Sequence, residues 1–223
     1  MIPIKKGKPP RDLVKEVADY KDKVGSSLSW EHDIHCKPEV TASLVREQGG
    51  LCAYCMSRVE VCHGSVNDAH VEHILPQSKC EHGEDVDYGN MLAVCEGQRG
   101  KTSWCDRSKG DKPLAVNPLK PQTLRLIRYR ADGFILSDDD DIERDLNVTL
   151  NLNGEGTGLK ENRKAVIEQL YRELNRVGNR GGDRAVMKYC RERLDVLSKP
   201  DSDGFYTPYV GVLRYFLEKR LKR

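Results

Sequence analysis

Apolar residues recur at helical spacing near the start of the chain. Leu13, Val17, Tyr20 and Val24 follow Pro9-Pro10, which predicts an amphipathic helix. A second short helix is predicted from Pro38 to Gln48, because Pro38 suits a first helical position and Gly49-Gly50 ends the pattern. The period then changes. Residues Ala69 to Leu75 alternate as a strand does, and Pro76 stops them; Met91 to Cys95 form a second apolar strand. From about Leu119 the segments Leu124 to Arg130 and Phe134 to Leu136, joined by Ala131-Asp132-Gly133, predict a β-hairpin around an Asp-Gly turn. The acidic run Asp138 to Asp141 is expected to be a solvated loop. Leu159, Val166, Leu170, Leu174 and Val177 mark a long helix, and Asn179 to Asp183 is a Gly-rich break. Val186, Cys190, Leu194 and Leu197 mark another helix, and Leu213, Phe216, Leu217 and Leu221 a terminal one. The pattern predicts an α+β protein in three parts: a helical segment over 1–48, a cysteine-rich core over 49–119, and a hairpin plus helices over 120–223.

Composition narrows this picture modestly. The chain has 223 residues, 38% hydrophobic and 32% charged, so a globular protein with a modest core is expected. A net charge of +2 gives no bulk attraction for nucleic acid, so any such binding must use local patches. One candidate patch is 184–223, with ten Lys or Arg against five Asp or Glu. It reads equally as a solvated helix face or as a phosphate-contacting surface. There is no signal-peptide pattern and no run long enough to span a bilayer, so a soluble, cytoplasmic protein with no membrane partner is expected. In a reducing compartment, eight cysteines with a Cys-x-x-Cys pair point to metal rather than disulfides.

Two chemistries interleave between Cys52 and Gly110. Cys52 and Cys55 have the tight spacing of a zinc knuckle, and Cys95 and Cys105 supply a second pair across a looped-out excursion. The plain alternative is four buried thiols. Cys36, Cys62, Cys80 and Cys190 are left over; Cys62-His63 with Cys80-x-His82 is a second conceivable metal set. Between the cysteines stand Glu72, His73, Asn90 and Asp106. Phosphodiester hydrolysis needs a base that is neutral near pH 7, which His73 supplies. It also needs a divalent cation, Mg2+ or Mn2+, on hard oxygen ligands, and Glu72 and Asp106 are two. In an extended strand Glu72 and His73 point to opposite faces unless the strand end twists, so one can serve the metal and the other the water. Asn90 can hold a ring or a loop. Lys109 is placed to meet a phosphate. Taken singly, each residue has a duller reading as a turn former, a cap or a surface group.

In this order and on this cysteine frame, the segment resembles the HNH endonucleases with the ββα-metal fold. The resemblance implies a zinc-stapled ββα-metal core in a mainly helical surround. It implies His73 as general base, Glu72 and Asp106 as ligands of the catalytic cation, and Asn90 as the residue that orients the His73 loop. The third position of the motif is a carboxylate here, a departure from its commonest form. His70 shares a strand face with Glu72 and is a further candidate metal or phosphate contact. MIPIKKGKPP, WCDRSKGD, LNLNGEGTGLKENRK and YVGVLRYFLEKRL are similar to the PtuB family, the HNH subunits of Septu-type antiphage systems. That family implies a cytoplasmic effector nuclease acting with an ABC-type ATPase of the PtuA kind. Its relatives beside retrons imply a reverse transcriptase–msDNA complex as another partner. DNA is the favoured substrate. The alternatives are an RNA (tRNA) target, where His73 can activate a 2′ hydroxyl, and a non-catalytic zinc module that binds nucleic acid or the ATPase.

Overall fold

The computed structural model describes residues 1–24, 28–61 and 68–222, so the Cys62-His63 pair lies outside the described residues. Helix α1 (Arg11–Val24), the one-turn α2 (Trp30–Asp33) and α3 (Lys37–Glu47) open the chain. Strands β1 (Ala69–His73) and β2 (Met91–Cys95) then pair antiparallel, with Ala69 opposite Cys95 and His73 opposite Met91. A small hairpin of β3 (Gln98–Arg99) and β4 (Thr102–Ser103) leads into the single turn of α4 (Asp106–Lys109). That hairpin is the predicted excursion between Cys95 and Cys105.

Helix α5 (Pro121–Leu124) precedes a second hairpin, β5 (Ile127–Tyr129) with β6 (Ile135–Ser137). The hairpin expected from Leu124 is therefore shorter, and Leu124 itself is helical. The acidic run is not simply a loop. Asp139 caps α6 (Asp140–Arg144) by accepting from the Ile142 amide at 3.0 Å, and carboxylates in a first turn suit the helix dipole. A π-helical turn, Asp145–Thr149, follows with no signal in the sequence pattern.

Helix α7 (Leu159–Leu197) contains the predicted Gly-rich break. Gly182 has φ 65° and ψ −167°, a region open essentially to glycine alone. The chain doubles back there. Tyr189 Oη donates to Glu173 Oε2 at 2.5 Å, so the two arms lie side by side, and α8 (Val210–Leu221) packs against them. Arg163, on the first arm, is buried and donates to Gly133 O, Leu152 O and Asn153 Oδ1, which pins the helical part to the hairpin.

One buried cluster runs from Leu13 through β2 to Leu217, so all three predicted parts share a core. All five β2 residues are buried. The Gln48 side chain extends its edge, accepting from Ala93 N at 2.8 Å and donating to Ala93 O at 2.7 Å. No helix among the described residues is long and apolar enough to cross a membrane.

Candidate metal centre and adjoining histidine

The Sγ atoms of Cys52, Cys55, Cys95 and Cys105 all lie within 4.8 Å of one another, and all four residues are buried. Cys52 and Cys105 are 3.8 Å apart and Cys55 and Cys95 3.7 Å. A disulfide needs about 2.05 Å between sulfurs. Four thiolates about 2.3 Å from a central zinc form a tetrahedron with edges of about 3.8 Å. The cluster therefore has the dimensions of a metal site. Two of the four non-glycine residues with positive φ among the described residues, Met56 and Cys105, sit on it. Such backbone persists where surrounding structure over-determines it, as a knuckle closed on a metal does. Hydrogen bonds from Cys105, Cys52 and Cys95 pull the Cys55 thiol well below its usual range, whereas burial pushes Cys105 well above it. A bound cation would favour the thiolate at every position. Cys80 and His82 join no cluster of three or more ligating side chains among the described residues. Cys36 and Cys190 are buried free thiols.

The same frame aims Glu72. Cys105 stands immediately before Asp106, the first residue of α4, and its carbonyl accepts from the Lys109 amide at 2.9 Å. Asp106 and Lys109 are three apart and so share a helix face. Lys109 Nζ meets Glu72 Oε1 at 2.8 Å, and Tyr54 Oη, from inside the Cys52–Cys55 knuckle, donates to the same oxygen at 2.8 Å. Asp106 lies near enough to Glu72 to raise its carboxyl pKa. Glu72 is 4% exposed. Burial, reinforced by Asp106, outweighs the Lys109 ammonium and pushes its carboxyl up to about 8. A buried carboxyl group with a second one on the neighbouring helix is a donor set suited to a hard divalent cation, which would favour the ionised form of Glu72. Water and substrate oxygens would have to complete its shell.

Lys109 does not offer the phosphate contact expected of it. It is 2% exposed, and its ammonium donates to His73 O at 3.1 Å and Gly110 O at 3.3 Å besides pairing with Glu72. A lysine has three protons, and all three are engaged. His70 is exposed, two residues before the buried Glu72 on the same strand.

His73 directly follows Glu72 at the end of β1 and is buried like it. Nε2 lies 2.8 Å from the Asp85 carbonyl, which can only accept. Nε2 therefore carries the proton of the neutral ring and Nδ1 keeps its lone pair. Nδ1 has no hydrogen-bond partner among the described residues. Burial lowers the pKa of the ring, which favours the neutral form. Asn90 holds the surrounding backbone. Its Oδ1 accepts from Leu75 N at 2.8 Å, and its Nδ2 donates to Leu75 O at 3.1 Å and Glu84 O at 3.0 Å. It thus ties the chain just after His73 to the residue just before Asp85.

Three members of this constellation were not singled out from the sequence: Tyr54, Asp85 and Trp30, whose ring packs edge-on to His73 with centroids 5.7 Å apart. Tyr54 had a signal, because a phenol between two metal-ligating cysteines is buried and its hydroxyl then needs a partner. Asp85 acts on His73 through its carbonyl, which any residue carries. Trp30 lies 43 positions from His73, and nothing in the local pattern pairs them. In comparisons with known proteins, no family model and no curated protein matches the chain.

Proposed function

We propose that the protein is a metal-dependent HNH-type endonuclease of the ββα-metal kind that hydrolyses nucleic-acid phosphodiesters, with DNA the favoured substrate. Zn2+ on the four cysteines is the structural metal, and Mg2+ or Mn2+ on Glu72 and Asp106 is the catalytic one. The observation that carries this reading is the pairing across one strand end. His73 Nε2 is held by Asp85 O, while one residue earlier Glu72 is met by Lys109, on the helix that Asp106 opens directly after Cys105 of the cysteine cluster.

The chemistry assigned to the residues follows. His73 Nδ1 takes a proton from water, whose oxygen forms the new bond to phosphorus as the bond to the leaving 3′ oxygen breaks. A divalent cation on Glu72 and Asp106 would supply stabilisation of the charge that develops on the phosphate and the leaving oxygen. Asn90 positions His73 through the Leu75 and Glu84 backbone. Lys109 balances charge beside Glu72 and fixes the His73 carbonyl. The likeness of the flanks to the PtuB family supports an antiphage effector working with a PtuA-like ABC-type ATPase, with a retron complex as a further partner.

The test is cleavage of a mixed DNA and RNA panel, with and without such an ATPase, in EDTA and in Mg2+ or Mn2+. Cation-dependent product is expected, and it should vanish in His73→Ala while fold and metal content remain. Product from that variant at the wild-type rate would end the assignment. A preference for RNA would move the target, for example to tRNA, and leave the machinery in place.

One observation favours a second reading, a non-catalytic zinc module that binds nucleic acid or the ATPase. Glu72 is buried with its charge met by Lys109, as a purely structural ion pair would be. That module would bind nucleic acid without product at any Mn2+ concentration.

A further inference from the structure

His73 is held from outside the strand pair that carries it. The α2 turn presents Trp30, which is 5% exposed and stands edge-on to the His73 ring. The turn is braced locally. Asp33 Oδ2 accepts from Ser29 N at 2.8 Å, and Ser29 O accepts from Asp33 N at 2.9 Å. Lys37 Nζ donates to Glu31 O at 2.8 Å and lies 5.8 Å from the Trp30 ring centre. One residue then links this turn to the histidine twice. Asp85 Oδ2 accepts from the Trp30 amide at 3.0 Å, and Asp85 O accepts from His73 Nε2 at 2.8 Å.

We infer that Trp30, acting with Asp85, is a positioning residue that fixes the rotamer and tautomer of His73, so that the amino-terminal segment sets the geometry of the proposed general base. Asn90 reaches the same loop from the β2 side through Glu84 O, but Asn90 holds backbone only. Among the described residues, the imidazole's hydrogen bond is to the Asp85 carbonyl and its ring contact is with Trp30. Loss of the ring opens a space beside the imidazole, while loss of the Asp85 carboxylate frees the loop whose carbonyl fixes the proton on Nε2. A histidine free to turn no longer keeps Nδ1 aimed at one point, and a misplacement of about 1 Å can cost about a hundredfold in rate. This inference rests on the nuclease reading for its consequence, but the positioning itself can be read without any reaction.

The experiment uses the full chain, uniformly ¹⁵N-labelled at histidine, with His73→Gln to assign the ring signals. Long-range ¹H–¹⁵N correlation spectra should show one tautomer at His73 in the wild type, protonated at Nε2. Trp30→Ala should give an averaged or mixed ring. Single-turnover cleavage by that variant should fall about a hundredfold with KM unchanged. Trp30→Phe, which keeps a ring edge, should retain the single tautomer and most of the rate. Asp85→Ala removes the carboxylate from the Trp30 amide and leaves the carbonyl and the tryptophan in place, so it reports even where Trp30→Ala does not fold. It should also mix the tautomers. An unchanged His73 spectrum in folded, metal-loaded Trp30→Ala or Asp85→Ala would overturn the inference. A wild type that cleaves nothing but shows one tautomer, lost in these variants, would remove the nuclease reading and keep the positioning role.

Discussion

Glu72 is closed in by Lys109, Tyr54 and Asp106, and its carboxyl is raised from an ordinary 4.5 to about 8. The folded protein therefore holds this proton to higher pH than the unfolded chain does. Between those two values the native state binds more protons, so stability must fall as pH rises through the window. Each unit of difference corresponds to about 1.4 kcal/mol, which gives a ceiling of about 5 kcal/mol above pH 8. Two other groups work the opposite way. Burial lowers His73 and takes the Met1 amino group down to about 5, and both raise stability as pH rises. The usable quantity is thus the difference between Glu72→Gln and the wild type, in which those terms cancel. Urea unfolding at several pH values, with the cysteine site loaded and no other divalent cation, should show the variant gaining on the wild type from pH 4.5 upward. The gain should level off above pH 8. Manganese should stabilise the wild type at pH 8 by about 2.7 kcal/mol at a hundred times its dissociation constant, and reduce the gap. A flat difference across the window would refute the account of Glu72. Equal stabilisation of Glu72→Gln by Mn2+ would refute the cation site.

Three further outcomes follow from the same contacts. Cys52→Ser removes a thiolate from a buried cluster; the protein should lose its bound metal, measured by plasma spectrometry, and its cooperative melt. Asn90→Ala leaves Leu75 N without its partner and takes one donor each from Leu75 O and Glu84 O, and should cost about 2 kcal/mol in urea unfolding; a loss under about 0.5 kcal/mol would mean that water replaces the amide. Gly133 has φ 87°, and a Cβ there would stand 2.2 Å from Lys160 O, so Gly133→Ala should destabilise by about 2 kcal/mol or more, with the shift read from thermal melts.

Helices were legible wherever the apolar period was long. The α1 and α8 patterns follow from residues that recur every three or four positions, α3 from its Pro38 start and Gly49-Gly50 stop, and the break in α7 from its glycines, of which Gly182 shows why the break is a reversal rather than a kink. The short elements were not legible. Helix α2 has four residues, and its reason to exist is Trp30, which packs against a histidine on a strand far along the chain. Asp138 to Asp141 read as solvated because a charge run has no period; that Asp139 would cap a helix depended on Ile142 being drawn into the core. The cysteine cluster was legible because sulfur ligands are rare and their spacing is constrained. Its second consequence was not. That Lys109 turns inward depends on the height at which Cys105 sets α4 against β1, and no sequence spacing encodes that height.

The placement of Lys109 changes how a second carboxylate beside Glu72 must be understood. A histidine there would add no charge beside Glu72. Asp106 does add one, and two carboxylates under a buried strand are costly unless something offsets them. Lys109, three residues on and on the same helix face, supplies that offset within the protein, and Tyr54 adds a hydrogen bond from the knuckle. Both supports hang from cysteines of the cluster: Tyr54 lies between Cys52 and Cys55, and α4 begins at Cys105. The histidine side is supported differently, by Trp30, Asp85 and Asn90, none of which is bonded to the cysteine frame through a neighbouring residue. The two halves of the proposed site meet at the peptide between Glu72 and His73 and again at Lys109, whose ammonium touches both Glu72 Oε1 and His73 O. A perturbation of the metal frame reaches the carboxylates first, and one of the amino-terminal segment reaches the imidazole first. If the proposed nuclease reading holds, cation affinity and base geometry should respond in different proportions to changes in these two parts of the fold, with Lys109 as the side chain common to both.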